Sequence, residues 1–196
     1  MKVPDWSAAT DGPAEKQRRR HDPHRRARIL DAALDVIAEH GVARTTHRKI
    51  AEAAGVPLGS VTYHFESLEG LVGEAFTKLG NRTADGFEAA MAAVGNEAQA
   101  RTAVVSLITG EMLNDPRTTA LSYELYALAS RSPQMRHVTD AWMARSRAAI
   151  GRFFDPDTAL MLDALIEGLS VHRALSLAPM PRTTVEAAVE RIVRIS

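Results

Sequence analysis

The sequence predicts an all-α fold of about nine helices. Alanine, the strongest intrinsic helix former, occurs 33 times. Apolar residues recur at helical spacing along most of the chain, and no stretch shows the alternation of a half-buried strand. Glycines and prolines fall between these periodic segments, where helices start and stop.

The elements follow in order. Residues 1–21 hold Pro4, Gly12, Pro13 and many charges, and read as a flexible basic tail. Ile29, Leu30, Ala33, Leu34 and Ile37 then form one face of a first helix that stops at Gly41. Thr46 caps a short second helix, His47 to Ala54, closed by Gly55. Pro57 suits the first turn of a short third helix, Leu58 to His64. Ser67 caps a long fourth helix that begins at Leu68. Five more helices are expected, over about Glu97–Leu113, Thr118–Ser130, Gln134–Phe154, Asp157–Leu177 and Thr183–Ile195, separated mostly by prolines.

Composition removes several function classes. There is no cysteine, so disulfides, thiolate nucleophiles and cysteine zinc sites are excluded. No apolar run reaches the roughly 20 residues that span a bilayer. The first residues are charged and lack the apolar stretch of a secretory signal. These features predict a cytoplasmic protein without a membrane partner. His21 and His24 have no third ligand nearby, and the phosphate-loop, dinucleotide and HExxH motifs are missing, so no metal or cofactor is expected. The net charge of zero hides an asymmetry: residues 1–65 carry 11 Lys+Arg against 8 Asp+Glu, and residues 66–196 carry 13 against 16. A basic N-terminal part suits a nucleic-acid contact, although an imbalance this small also arises by chance.

The most informative segment is Thr45 to Leu71. Two short helices flank a glycine turn, with Ile50, Val56 and Val61 as a small shared core, which is a helix-turn-helix. Its second helix is free on its polar side to enter a major groove. The residues Thr45-Thr46, Ile50-Ala51, Ala54-Gly55-Val56, Gly59 and His64-Phe65, preceded by Glu39-His40-Gly41 and followed by Leu71, resemble the tetracycline-repressor (TetR) family over about residues 24–75. Two positions depart from that family's pattern. Thr62 stands where the family has a tyrosine, the aromatic moving to Tyr63, and Leu68 stands where it often has a lysine.

The resemblance implies roles. Arg48 would read a base or a phosphate, since arginine pairs bidentately with guanine. Leu58, Gly59, Ser60, Thr62 and Tyr63 would form the groove-facing surface. Thr46, Lys49 and His64 would contact the backbone, with a packing role at the helix junction as the alternative for His64. The basic run from Lys16 to Arg28 would lie along phosphates, unless it is simply solvated. The resemblance also implies an inducer pocket in the later helices. Met112, Tyr123, Tyr126, Trp142, Met143 and His172 are candidates for its lining, the tyrosines and the tryptophan because each joins a polar group to an apolar body. Methionines and aromatics at helical spacing are equally a description of plain core.

The eighth helix carries Leu160, Met161, Leu162, Leu165, Ile166, Leu169, Val171 and Leu175 on more than one face. A helix apolar nearly all round buries two sides, so a second copy of the eighth and ninth helices is expected against Leu162, Leu165, Leu169, Val189 and Ile192. The sequence thus reads as a tail (1–21), a three-helix DNA-binding domain (22–66) and a bundle for ligand and dimer contacts (67–196). The expected function is a ligand-responsive regulator, a repressor, binding palindromic double-stranded DNA as a homodimer and released by a small molecule. An enzyme on a helical bundle and a DNA-binding protein without a ligand, acting as an architectural or constitutive regulator, are the alternatives. Gly168 to His172 faintly resembles a nucleophile elbow, but no strand precedes it, and no catalytic residues are assigned.

Overall fold

The computed structural model describes residues 23–110, 115–178 and 180–194. The described residues form nine α-helices: α1 Arg25–His40, α2 His47–Ala53, α3 Leu58–His64, α4 Leu68–Ala92, α5 Glu97–Thr109, α6 Pro116–Ala129, α7 Pro133–Ile150, α8 Pro156–Leu175 and α9 Arg182–Arg194. A single 3-10 turn, Val42–Arg44, joins α1 to α2. The N-terminal tail lies outside the described residues.

Local chemistry sets most boundaries. Thr46, Ser67, Asn96, Asp115, Ser132 and Asp155 each cap the helix that follows, accepting from its first-turn amides. Three of these caps are followed directly by proline, at α6, α7 and α8. Pro116, Pro133 and Pro156 therefore open helices rather than merely ending the preceding ones, because proline's missing N–H costs nothing in a first turn. These helices start one or two residues earlier than their apolar periodicity suggests. α7 ends at Ile150, short of Phe154, where the Gly151 amide bonds to Arg147 and the chain turns away. Among the described residues two glycines have positive φ: Gly41 (76°), which closes α1, and Gly55 (62°), the pivot between α2 and α3.

The helices enclose two hydrophobic cores. The first joins α1, α2, α3 and the N-terminal half of α4 to Leu121, Leu125 and Ala129 of α6 and Met135 of α7. The second joins Phe87 and Met91, late in α4, to α5, the end of α7, α8 and α9. α4 runs through both and packs closely on α7. Gly73 and Gly80 make that approach possible: a Cβ at Gly73 would come within 3.1 Å of Met135 Cε, and one at Gly80 within 3.6 Å of Val138 Cγ1. None of the described helices is long and apolar enough to cross a membrane.

Candidate functional site

Two surfaces concentrate chemistry, and α6 touches both structures that carry them. The first is the outer face of α2 and α3. Ile50, Ala51 and Val61 point into the core and fix the two helices at their turn. Leu58, Gly59, Thr62 and Tyr63 are left facing out, with Tyr63 86% exposed and Leu58 48% exposed. Ser60 is partly covered. A large phenol and a leucine held in water on an otherwise well-packed unit form a surface made for contact. The Thr62 hydroxyl turns back to its own helix, donating to the Gly59 carbonyl at 3.3 Å. Thr46 and Arg48 are exposed at the start of α2, and Lys49 is half-buried. Thr46 is occupied as a cap, its Oγ1 accepting the Lys49 amide at 3.2 Å. The half-buried His64 ring meets Tyr63 edge-on, centroids 5.2 Å apart, and continues to the buried Phe65. Arg26 lies over the Phe65 ring at 5.0 Å and pairs with Glu74, tying α1 to α4 behind this face.

The second surface is a cavity of about 80 Å³ between α4, α6, α7 and α8. Phe87, Ile166, Val171 and Met143 give it apolar walls. Trp142 and Tyr126 stack along one side, centroids 6.2 Å apart and planes 28° from parallel. Thr118, Thr119, Ser122, Ser146 and Ser170 add hydroxyls, and Asp163 and Glu167 add two carboxylates one helical turn apart on α8. Burial pushes the Asp163 carboxyl up to about 6, against the opposing pull of Arg147, whose Nη1 sits 3.4 Å from Asp163 Oδ2; Glu167 pushes the same way as burial. Burial, with Glu167 accepting from its hydroxyl, drives the Tyr126 phenol well above its ordinary range. Burial also raises Tyr123, whose Oη is enclosed and has no hydrogen-bond partner among the described residues; Ser170 Oγ is in the same state.

The sequence expectations divide clearly. Tyr123, Tyr126, Trp142 and Met143 come together in the cavity lining. His172 does not: it is exposed, because two residues past Ser170 is a rotation of about 200° around the helix. Met112 lies outside the described residues. Asp163 and Glu167 were not singled out, and Ser170 only within the faint nucleophile-elbow resemblance, although the three stand in the sequence as polar residues at i, i+4 and i+7 of a largely apolar helix. Of the residues expected at a dimer contact, Leu162 and Val189 are buried in the chain's own second core and have no surface left for a partner. Leu165, Leu169 and Ile192 pack partly against that core. Leu160, Met161 and Leu175 are instead the exposed large apolar residues of α8, at 53%, 38% and 69%.

α6 joins the two surfaces. Thr118, Thr119, Ser122, Tyr123 and Tyr126 face the cavity, while Leu121 and Leu125 are fully buried in the first core. From the same helix, Arg117 pairs with Asp35 of α1 at 2.6 Å, and Glu124 Oε2 accepts the Val42 amide at 3.0 Å. Gly41 is favoured there by its φ of 76°, and a Cβ would also come within 2.9 Å of Glu124 Oε1, so the Glu124 carboxylate would have to shift. Both contacts link residues 82 apart in sequence, beyond the reach of any local pattern.

Comparison with known proteins agrees over both the N-terminal and the C-terminal helices. Residues 29–75 match a family model described as bacterial regulatory proteins, tetR family, and residues 95–195 match one described as tetracyclin repressor-like, C-terminal domain. The HTH-type transcriptional regulator BetI of Rhizobium meliloti is 30% identical over 176 residues, 86% of this chain and 85% of that protein. A crystal structure of a transcriptional regulator from Streptomyces coelicolor A3(2) is 47% identical with a TM-score of 0.81, covering 87% of this chain and 99% of the other. The multidrug binding protein EbrR complexed with ethidium is 35% identical with a TM-score of 0.74, covering 88% and 100%.

Proposed function

The chain belongs to the TetR family of bacterial transcriptional regulators, and on that premise we propose that it is a ligand-released repressor, binding a palindromic operator as a homodimer. The observation that carries the ligand response is the double engagement of α6. One side of this helix lines the cavity. Its other contacts, Arg117–Asp35 and Glu124 to the Val42 amide, hold the end of α1 and the turn into α2. A molecule that shifts α6 by even a fraction of an ångström therefore acts on the orientation of the helix-turn-helix. Packed helices respond by switching between discrete arrangements rather than by bending. EbrR, similar along its whole length, is a multidrug binding protein, which supports a ligand in the corresponding space here.

DNA recognition falls to Arg48, Ser60, Thr62 and Tyr63, with Leu58 and Gly59 allowing close approach and Thr46, Lys49 and His64 at the backbone. The dimer forms through α8 and α9. Leu160 and Met161 are exposed and Leu165, Leu169 and Ile192 only partly covered, an apolar strip that a two-fold copy would bury. The two recognition helices then stand about one DNA turn apart, roughly 34–36 Å. Ligand binding favours another spacing, and by reciprocity DNA weakens the ligand by the same factor.

Selection of bound duplexes from a random pool tests this reading with the purified full chain. It should return a palindrome whose affinity falls steeply with salt, as phosphate contacts release counterions. Sedimentation should show a dimer at micromolar concentration. A pool without two-fold symmetry, or a 21.3 kDa monomer at tens of micromolar, defeats the proposal.

A further inference from the structure

The outer face of α3 is poor in hydrogen-bonding chemistry. The helix contains no Asp, Glu, Asn, Gln, Arg or Lys, the side chains that pair with base edges in the major groove. What it presents is mostly apolar. Leu58 and Tyr63 are exposed, and no other large apolar side chain of the helix-turn-helix unit is. Thr62, exposed beside them, spends its hydroxyl proton on the Gly59 carbonyl at 3.3 Å. It therefore offers a partner its methyl group rather than a donor.

Gly59 completes this surface. It sits inside α3 with no positive φ, and among the described residues nothing lies within 4 Å of where its Cβ would stand. Alanine would fit there and would hold the helix better, so folding gives no reason for glycine. Side chains on a helix lean towards its N-terminus, which brings Thr62 over Leu58 and Tyr63 over Gly59. The missing Cβ thus leaves a gap bordered by Leu58, Thr62 and Tyr63.

The major groove of DNA carries one apolar group, the C5-methyl of thymine. An apolar face laid against any other base edge would leave that edge's donors and acceptors without partners. We infer that Leu58, Thr62 and Tyr63 set sequence specificity by enclosing thymine methyl groups, and that Gly59 lets the helix backbone come close enough for them to do so. This rests on the regulator reading above and names what its recognition helix reads in each half-site. Arg48 lies on α2 and acts outside this contact.

Deoxyuridine supplies the test, because it pairs as thymine does and lacks only the methyl. The duplex recovered from random-pool selection is made once with thymine and once with deoxyuridine, and both are titrated with the full-length protein. Each buried methyl removed should weaken binding about fourfold, and one in each of two half-sites about fifteenfold. Single replacements along the half-site should find the positions read. Leu58→Ala and Thr62→Ser trim the apolar face at exposed positions, and Thr62→Ser keeps the hydroxyl bonded to Gly59. Both variants should keep the wild-type melting temperature and bring the thymine-to-deoxyuridine ratio towards one. Gly59→Ala should raise the melting temperature and yet weaken operator binding at least about fivefold, as an added methyl does in a closely packed contact. Equal affinity for the two duplexes, a ratio unchanged in both trimmed variants, or full operator affinity in G59A would each overturn the methyl assignment. A palindrome bound tightly with or without its thymine methyls would defeat this inference and uphold the regulator reading. A pool that yields no bound sequence would defeat both.

Discussion

The recognition face and the cavity lie on either side of α6 and are built in opposite ways. In the helix-turn-helix unit, every large apolar residue except Leu58 and Tyr63 is turned towards the core, and most charged groups face out. The cavity turns polar groups inward, with two carboxylates, six serine and threonine hydroxyls and two tyrosines among its lining. The first arrangement stabilises the fold and leaves a ready surface. The second gives up packing and solvation to create a specific internal space, the usual cost of a binding site. Mutations in the two regions should therefore separate: those on the recognition face change DNA binding without changing stability, and those in the cavity change both.

The largest effect is expected where the two regions share a core. Leu125 is fully buried on α6, in the cluster that also holds Ile29, Ile50 and Val61. Leu125→Ala should cost about 2–5 kcal/mol. It should loosen the helix-turn-helix and the cavity together, as a single cooperative transition in urea. Two resolved transitions, with only one moved, would show that the regions fold independently and break the comparison.

Next in size are Arg48→Ala and Tyr63→Ala. Arg48 and Tyr63 are exposed, so each change should leave the melting temperature nearly unaltered. Loss of a bidentate base contact should weaken operator binding by about 1–3 kcal/mol for Arg48. A large fall in melting temperature with intact DNA binding would give either residue a structural role instead.

How far each region could be read in advance follows from the range of the signals. The helix-turn-helix was legible because its determinants are local. Gly41 and Gly55 mark turns, Thr46 and Ser67 mark starts, and Ile50, Val56 and Val61 pack within 12 residues of one another. The cavity was legible only in part. Tyr123, Tyr126 and Trp142 stood out because each combines an apolar body with a polar tip. His172 stood out for the same reason and is exposed, since composition does not reveal the rotational phase of a helix. Leu162 and Leu165 looked equivalent as apolar residues on α8, yet one is core and the other half-covered, a difference set by how α5 and α9 pack on that helix. Glu124 gave no signal at all: its partner is an amide 82 residues away.

Glu124 supplies the prediction that bears on the link between the regions. Glu124→Ala removes the acceptor for the Val42 amide and frees space beside Gly41. Ligand and operator should each still bind, but their mutual antagonism should shrink. Coupling energies between sites are typically about 1–3 kcal/mol, and a good part of that range should be lost. Titrating operator affinity at fixed ligand concentrations reads the coupling directly. Full antagonism in the variant would mean that the signal travels elsewhere, with the Arg117–Asp35 pair the first alternative to remove.

The smallest effect concerns the stability cost of the cavity itself. Asp163 holds its proton up to about 6 in the folded chain, whereas an unfolded aspartate releases it near 4. Below about 4 both states are protonated and the burial costs nothing. Between about 4 and 6 the folded state keeps a proton that the unfolded state has lost, so this group's contribution to stability falls as pH rises through that window; above it the loss is constant. Other carboxylates run the opposite way: Glu88 is held low by Arg145, and Asp115 and Asp155 by their capping bonds, so they add stability that is lost on acidification. The whole-protein curve mixes the two trends, and the difference between wild type and Asp163→Asn isolates one. Asn is neutral at every pH and matches the shape of the protonated acid, while the partly exposed Arg147 can turn to water. The variant should melt slightly above wild type at pH 7.5, and the gap should close towards pH 4. If the variant instead melted below wild type at pH 7.5, with that deficit closing on acidification, the carboxylate would be stabilising through Arg147, and the cavity would not be a region where packing and solvation were given up for binding.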